Sequence, residues 1–60
     1  MVTIRNIGNQ TEELIFSCDG GYLHKYLIVG DSVTVPSSFV TDLVRNLATR
    51  RILSIVKVGN

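Results

Sequence analysis

The C-terminal stretch Arg50-Arg51-Ile52-Leu53-Ser54-Ile55-Val56-Lys57-Val58 decides how this chain folds. Its period-two spacing and β-branched residues give a strand in which Ile52, Val56 and Val58 point one way and Leu53 and Ile55 the other. Apolar side chains on both faces need cover on both faces, and a chain of 60 residues has little material to supply it. The expectation is that another chain provides part of that cover.

Upstream of this strand lies a helix pattern. Val40, Leu43, Val44 and Leu47 fall at the i, i+3, i+4, i+7 spacing of one apolar stripe. Ser37 and Ser38 are suited to cap its start. Asp42 near the beginning, with Arg45, Arg50 and Arg51 towards the end, suits the helix dipole. Pro36 closes the segment before it, where Val33 and Val35 alternate with Ser32 and Thr34 in a short half-buried strand.

Three further strands precede the Gly30-Asp31 turn. Val2 to Ile7 ends at the turn signal Gly8-Asn9, and Leu14 to Cys18 ends at Asp19-Gly20-Gly21, where glycine permits a tight reversal. Tyr22 to Val29 resumes the chain, with Leu23, Leu27 and Val29 on one face and Tyr22, His24, Tyr26 and Ile28 on the other. The order is four strands, one helix and one strand in a single domain covering 1–60. This predicts an α+β fold, a small, mostly antiparallel curled sheet or open β-barrel of about five strands with the helix between the last two. Whether the last strand pairs within the chain or with a neighbour stays open at this level.

Composition narrows the function classes. Valine, isoleucine and leucine supply 20 residues, too many for a disordered tail. A net charge of +1 lacks the basic excess of a protein that grips nucleic acid through phosphates. No stretch approaches the roughly 18 consecutive apolar residues that span a bilayer, and Met1-Val2-Thr3-Ile4-Arg5 does not resemble a secretory signal. A soluble protein made in the cytoplasm is expected, with no membrane partner.

The inventory for chemistry is thin. Cys18 is the only cysteine, so no intrachain disulfide or Cys/His zinc cluster exists; a reduced buried thiol is expected, with an intermolecular disulfide as the alternative. His24 is the only histidine and has no carboxylate or cysteine beside it in sequence. Glu12 and Glu13 point apart in an extended segment and cannot act as a paired acid and base. Asp19-Gly20-Gly21 lacks the helix and lysine of a phosphate loop. No catalytic residue, metal, cofactor or small-molecule substrate is implied. Tyr22, His24 and Tyr26 share a face and, with Lys25, would make a small stacking platform for single-stranded nucleic acid, but tyrosine is equally suited to a protein interface.

The run Gly30-Asp31-Ser32-Val33-Thr34-Val35-Pro36, a helix carrying Leu43 and Leu47, and the terminal strand Ile52-Leu53-Ser54-Ile55-Val56 together resemble the layout of small structural proteins of tailed bacteriophage particles: capsid decoration or cement proteins and small neck or tail components. The resemblance spans most of the chain but matches no signature residue by residue. It implies a non-enzymatic virion protein, made in the host cytoplasm, whose partners are other virion proteins and copies of itself. On this reading the strands Val2–Ile7 or Ile52–Val58 would add to a partner's sheet. The candidate contact residues are Tyr22, Tyr26, Arg50, Arg51, Ile52, Leu53 and Ile55. The competing reading is a small β-barrel nucleic-acid-binding or regulatory adaptor.

Overall fold

The computed structural model describes residues 1–58. Among them the chain forms strands β1 (Val2–Asn6), β2 (Glu12–Cys18), β3 (Gly21–Leu27) and β4 (Ser32–Val35), a 3-10 turn (Ser37–Phe39), helix α1 (Asp42–Thr49) and strand β5 (Leu53–Lys57). The strands make two antiparallel sheets, β4-β1-β5 and β2-β3, which curl about one core without closing into a barrel. The fold is α+β, with the helix between the last two strands.

Alternation along the strands builds that core. Val2 and Ile4 of β1 lie opposite Val35 and Val33 of β4, and Ile4 also faces Ile55 of β5. From the hairpin come Leu14, Phe16 and Leu27, and from the helix Val44, all fully buried. Thr3, Arg5, Ser32, Thr34 and Ser54 take the other face of the three-stranded sheet, where the Thr3 and Thr34 hydroxyls hydrogen-bond at 2.9 Å.

The terminal strand departs from its expected two-sided burial. Leu53 is 2% exposed and Ile55 half-buried against the core, whereas Val56 is 56% exposed and Val58 is exposed. Val56 sits opposite Thr3 on the polar outer face, so β5 is an amphipathic strand with Val56 turned outward, and its pattern does not call for cover from another chain. β5 pairs within the chain, along β1. β1 itself is the central strand, hydrogen-bonded on both sides, so Val2–Ile7 is not a free edge and its proposed addition to a partner's sheet is overturned.

The helix is shorter than its apolar spacing suggests. Ser37 and Ser38 lie in the 3-10 turn, which has no side-chain cap, and Val40 is extended. Thr41 caps α1 instead: its Oγ1 accepts from Val44 N at 3.5 Å and donates to Ile15 O at 2.8 Å, fastening the helix start to β2. The inward stripe is Val44, Leu47 and Ala48, while Leu43 is exposed. Arg45 pairs with Asp42 at 3.1 Å in solvent, which contributes little stability.

The helix ends in a Schellman motif: Ile52 N donates to Leu47 O and Arg51 N to Ala48 O, each at 3.0 Å. Arg51 takes the left-handed conformation this requires, with φ of 62°. Ile52 therefore belongs to the helix stop, half-buried against the core, and β5 begins one residue later.

Candidate functional site

The seven candidate contact residues fall into three different places. Tyr22 and Tyr26 stand on β3, Arg50 and Arg51 are exposed at the helix end, and Ile52, Leu53 and Ile55 pack towards the core. Leu53 is sealed inside and unavailable to a partner, which corrects its expected role. Among the described residues, five of the ten exposed large apolar side chains, Tyr22, Leu23, Tyr26, Ile28 and Val29, lie along β3 and the turn after it.

Glycine and register explain why β3 stands clear. Gly20 at φ +87° lets the chain reverse after Cys18, so β2 and β3 run side by side from Cys18↔Gly21 to Glu12↔Leu27. β2 pairs with β3 on one edge, and on its other edge the Ile15 carbonyl accepts from Thr41 Oγ1. Among the described residues β3 pairs with β2 alone, and every residue of β3 before Leu27 is exposed. Tyr22 is 72% and Tyr26 67% exposed; Leu23 on the opposite face is exposed, as are Ile28 and Val29 beyond the strand. This unpaired edge, flanked by apolar groups on both faces, is the candidate functional site. Main-chain N–H and C=O groups on such an edge are a template for another strand.

Polar groups shape the same surface. Glu13 lies directly opposite Tyr26, and its Oε2 is 3.1 Å from His24 Nδ1 on the outer face of the hairpin. The pair is a diagonal cross-strand contact that sequence spacing conceals, because eleven residues separate the partners. Lys25 projects from the other face, opposite Leu14. Cys18 is half-buried at the hairpin end rather than sealed in the core. Among the described residues no cavity is formed, and no group of three or more His, Cys, Asp or Glu side chains lies close enough to hold a metal ion. No helix there is long and apolar enough to cross a membrane.

The far end of the hairpin is held by a residue absent from every motif. Asn6, 1% exposed at the end of β1, donates through Nδ2 to Leu27 O and to Gln10 O, each at 2.8 Å, and its Oδ1 accepts from Gly8 N at 3.0 Å. Its backbone N–H donates to Asp31 O, and its C=O accepts from Gly30 N. This clasp joins both sheets and the Gly30 turn, so the base of the hairpin is fixed while β3 faces solvent.

No protein-family model matches the chain, and neither a curated protein nor a solved structure does.

Proposed function

We propose that this protein is a non-enzymatic assembly component that binds copies of itself and neighbouring protein subunits through strand addition at β3. The carrying observation is the unpaired edge of β3 with Tyr22 and Tyr26 standing 72% and 67% exposed beside it. Main-chain hydrogen bonds along that edge supply register, and the two tyrosines supply apolar area at a low entropic cost. Arg50 and Arg51, both exposed, serve as peripheral charges towards an acidic neighbour. The setting we propose is a tailed bacteriophage particle, in its capsid, neck or tail; this rests on the layout resemblance of Gly30–Pro36, the helix and the final strand.

Glu13 weighs against the nucleic-acid reading. Its carboxylate shares the face of Tyr22, His24 and Tyr26 and meets the histidine, so the platform offers a phosphate chain an anion where it needs a cation.

Sedimentation over a range of concentrations tests the proposal. The native chain should associate, and Tyr22→Ser/Tyr26→Ser should shift it towards monomer. A native chain that stays monomeric throughout and binds no particle protein overturns the reading, as does tight, salt-sensitive binding of labelled oligonucleotides.

A further inference from the structure

The segment Tyr22-Leu23-His24-Lys25-Tyr26 has a tyrosine two residues to either side of His24. Such a near-palindrome acquires meaning on a strand whose main-chain groups are free. The pairing of β3 with β2 begins at Cys18↔Gly21, the residues flanking the two-residue reversal, and continues through Phe16↔Leu23 and Leu14↔Lys25. In an antiparallel ladder opposed residues alternate between exchanging both hydrogen bonds and exchanging none. The pair flanking a two-residue turn exchanges them, so Gly21, Leu23 and Lys25 address β2. Tyr22, His24 and Tyr26 then direct their N–H and C=O groups away from it. The same alternation turns Ile15 O outward from β2, where Thr41 Oγ1 meets it at 2.8 Å.

We propose that the occupant of this edge is β3 of a second copy, running antiparallel about a two-fold axis through His24; this rests on the assembly reading above and names its partner and register. Tyr22 of each copy then lies opposite Tyr26 of the other, and His24 opposite His24. All the outward main-chain groups of Tyr22, His24 and Tyr26 are paired at once. The axis stands perpendicular to the sheet, so both cores lie on one side of a continuous β2-β3-β3-β2 sheet. On that side Leu23 of each copy faces the aliphatic stem of Lys25 from the other, which covers an otherwise exposed leucine.

Charge and aromatic pairing select this register over its neighbours. Centring the pair on Lys25 sets two ammonium groups directly opposite each other, a destabilising arrangement. Centring on Leu23 sets Tyr26 opposite Gly20 and loses both tyrosine pairs. Of these three registers, the one centred on His24 keeps both tyrosine pairs and separates the lysines.

Disulfide trapping in a Cys18→Ser background tests the register. Residues directly opposed in a hydrogen-bonded pair have Cα atoms about 5.5 Å apart, within disulfide reach. After mild oxidation His24→Cys should give a band at twice the monomer mass, and so should an equimolar mixture of Tyr22→Cys and Tyr26→Cys, in which each copy keeps one tyrosine. Tyr22→Cys alone should not, because its counterpart lies four residues along the ladder, roughly 13 Å away. A dimer band from Lys25→Cys with none from His24→Cys overturns the register. If no variant cross-links while the native chain sediments as an oligomer, pairing through β3 is overturned and assembly through another surface stands. If no variant cross-links and the native chain is monomeric, both readings fall.

Discussion

Asn6 of β1 donates from Nδ2 to the carbonyl of Leu27 in β3 at 2.8 Å, and this buried bond ties the three-stranded sheet to the hairpin. The same side chain satisfies Gln10 O and Gly8 N, so removing it strands two acceptors and a donor. A buried polar group left unpaired costs about 1–3 kcal/mol. Asn6→Ala should therefore lower unfolding stability by about 3 kcal/mol in urea titration. Asn6→Asp, which retains an acceptor for Gly8 but no donors in the ionised state, should lose a comparable amount; wild-type stability in either variant would show that the clasp is not structural.

The one-sided burial of β5 separates two neighbouring substitutions. Leu53→Ala opens a void in the core and should cost about 2–5 kcal/mol. Val56→Ala, on the polar outer face, should stay within about 0.5 kcal/mol. Equal losses at both positions, measured on the same chain by denaturant midpoint, would restore burial on both faces.

The cap at Thr41 yields a second contrast. Thr41→Ala removes the acceptor for Val44 N and the donor to Ile15 O, and should cost about 1–2 kcal/mol. Ser37→Ala and Ser38→Ala should be nearly silent, because neither serine caps the helix. A larger loss at either serine than at Thr41, measured by thermal unfolding, would contradict a helix capped by Thr41.

Arg51 holds a left-handed conformation that costs a residue with a side chain about 1–2 kcal/mol and glycine nothing comparable. Arg51→Gly, at the position after the helix cap, should raise stability by about 0.5–1 kcal/mol despite the added freedom of the unfolded chain. A lower melting temperature for Arg51→Gly would show that the arginine side chain makes a contact outweighing its backbone strain.

These contrasts follow the boundary between what the residue pattern carries and what it does not. Alternation in Ser32–Val35 gives β4 directly, because Val33 and Val35 turn to the core as period two requires. The glycines at 20 and 30 mark reversals whose positive φ few other residues accept. Val40 and Leu43 mislead, since a 3-10 turn and an extended residue place Val40 near the core without a helix. Arg51 conceals the helix stop because glycine is the usual signal at that position. The central place of β1 is illegible locally: its partners β4 and β5 lie far along the chain, and pairing of that kind is set by the assembled core. For the candidate site, Tyr22 and Tyr26 share a face by spacing alone, whereas the unpaired edge beside them emerges only once the sheet order is known.

Amide hydrogen exchange at β3, followed residue by residue as protein concentration is raised, reads the outward edge of that strand itself. The N–H groups of Tyr22, His24 and Tyr26 should exchange freely in dilute solution and become protected together as the chain associates, while the already paired amides of Leu23 and Lys25 change far less. Association that leaves those three amides as exposed as in the monomer would contradict pairing through β3.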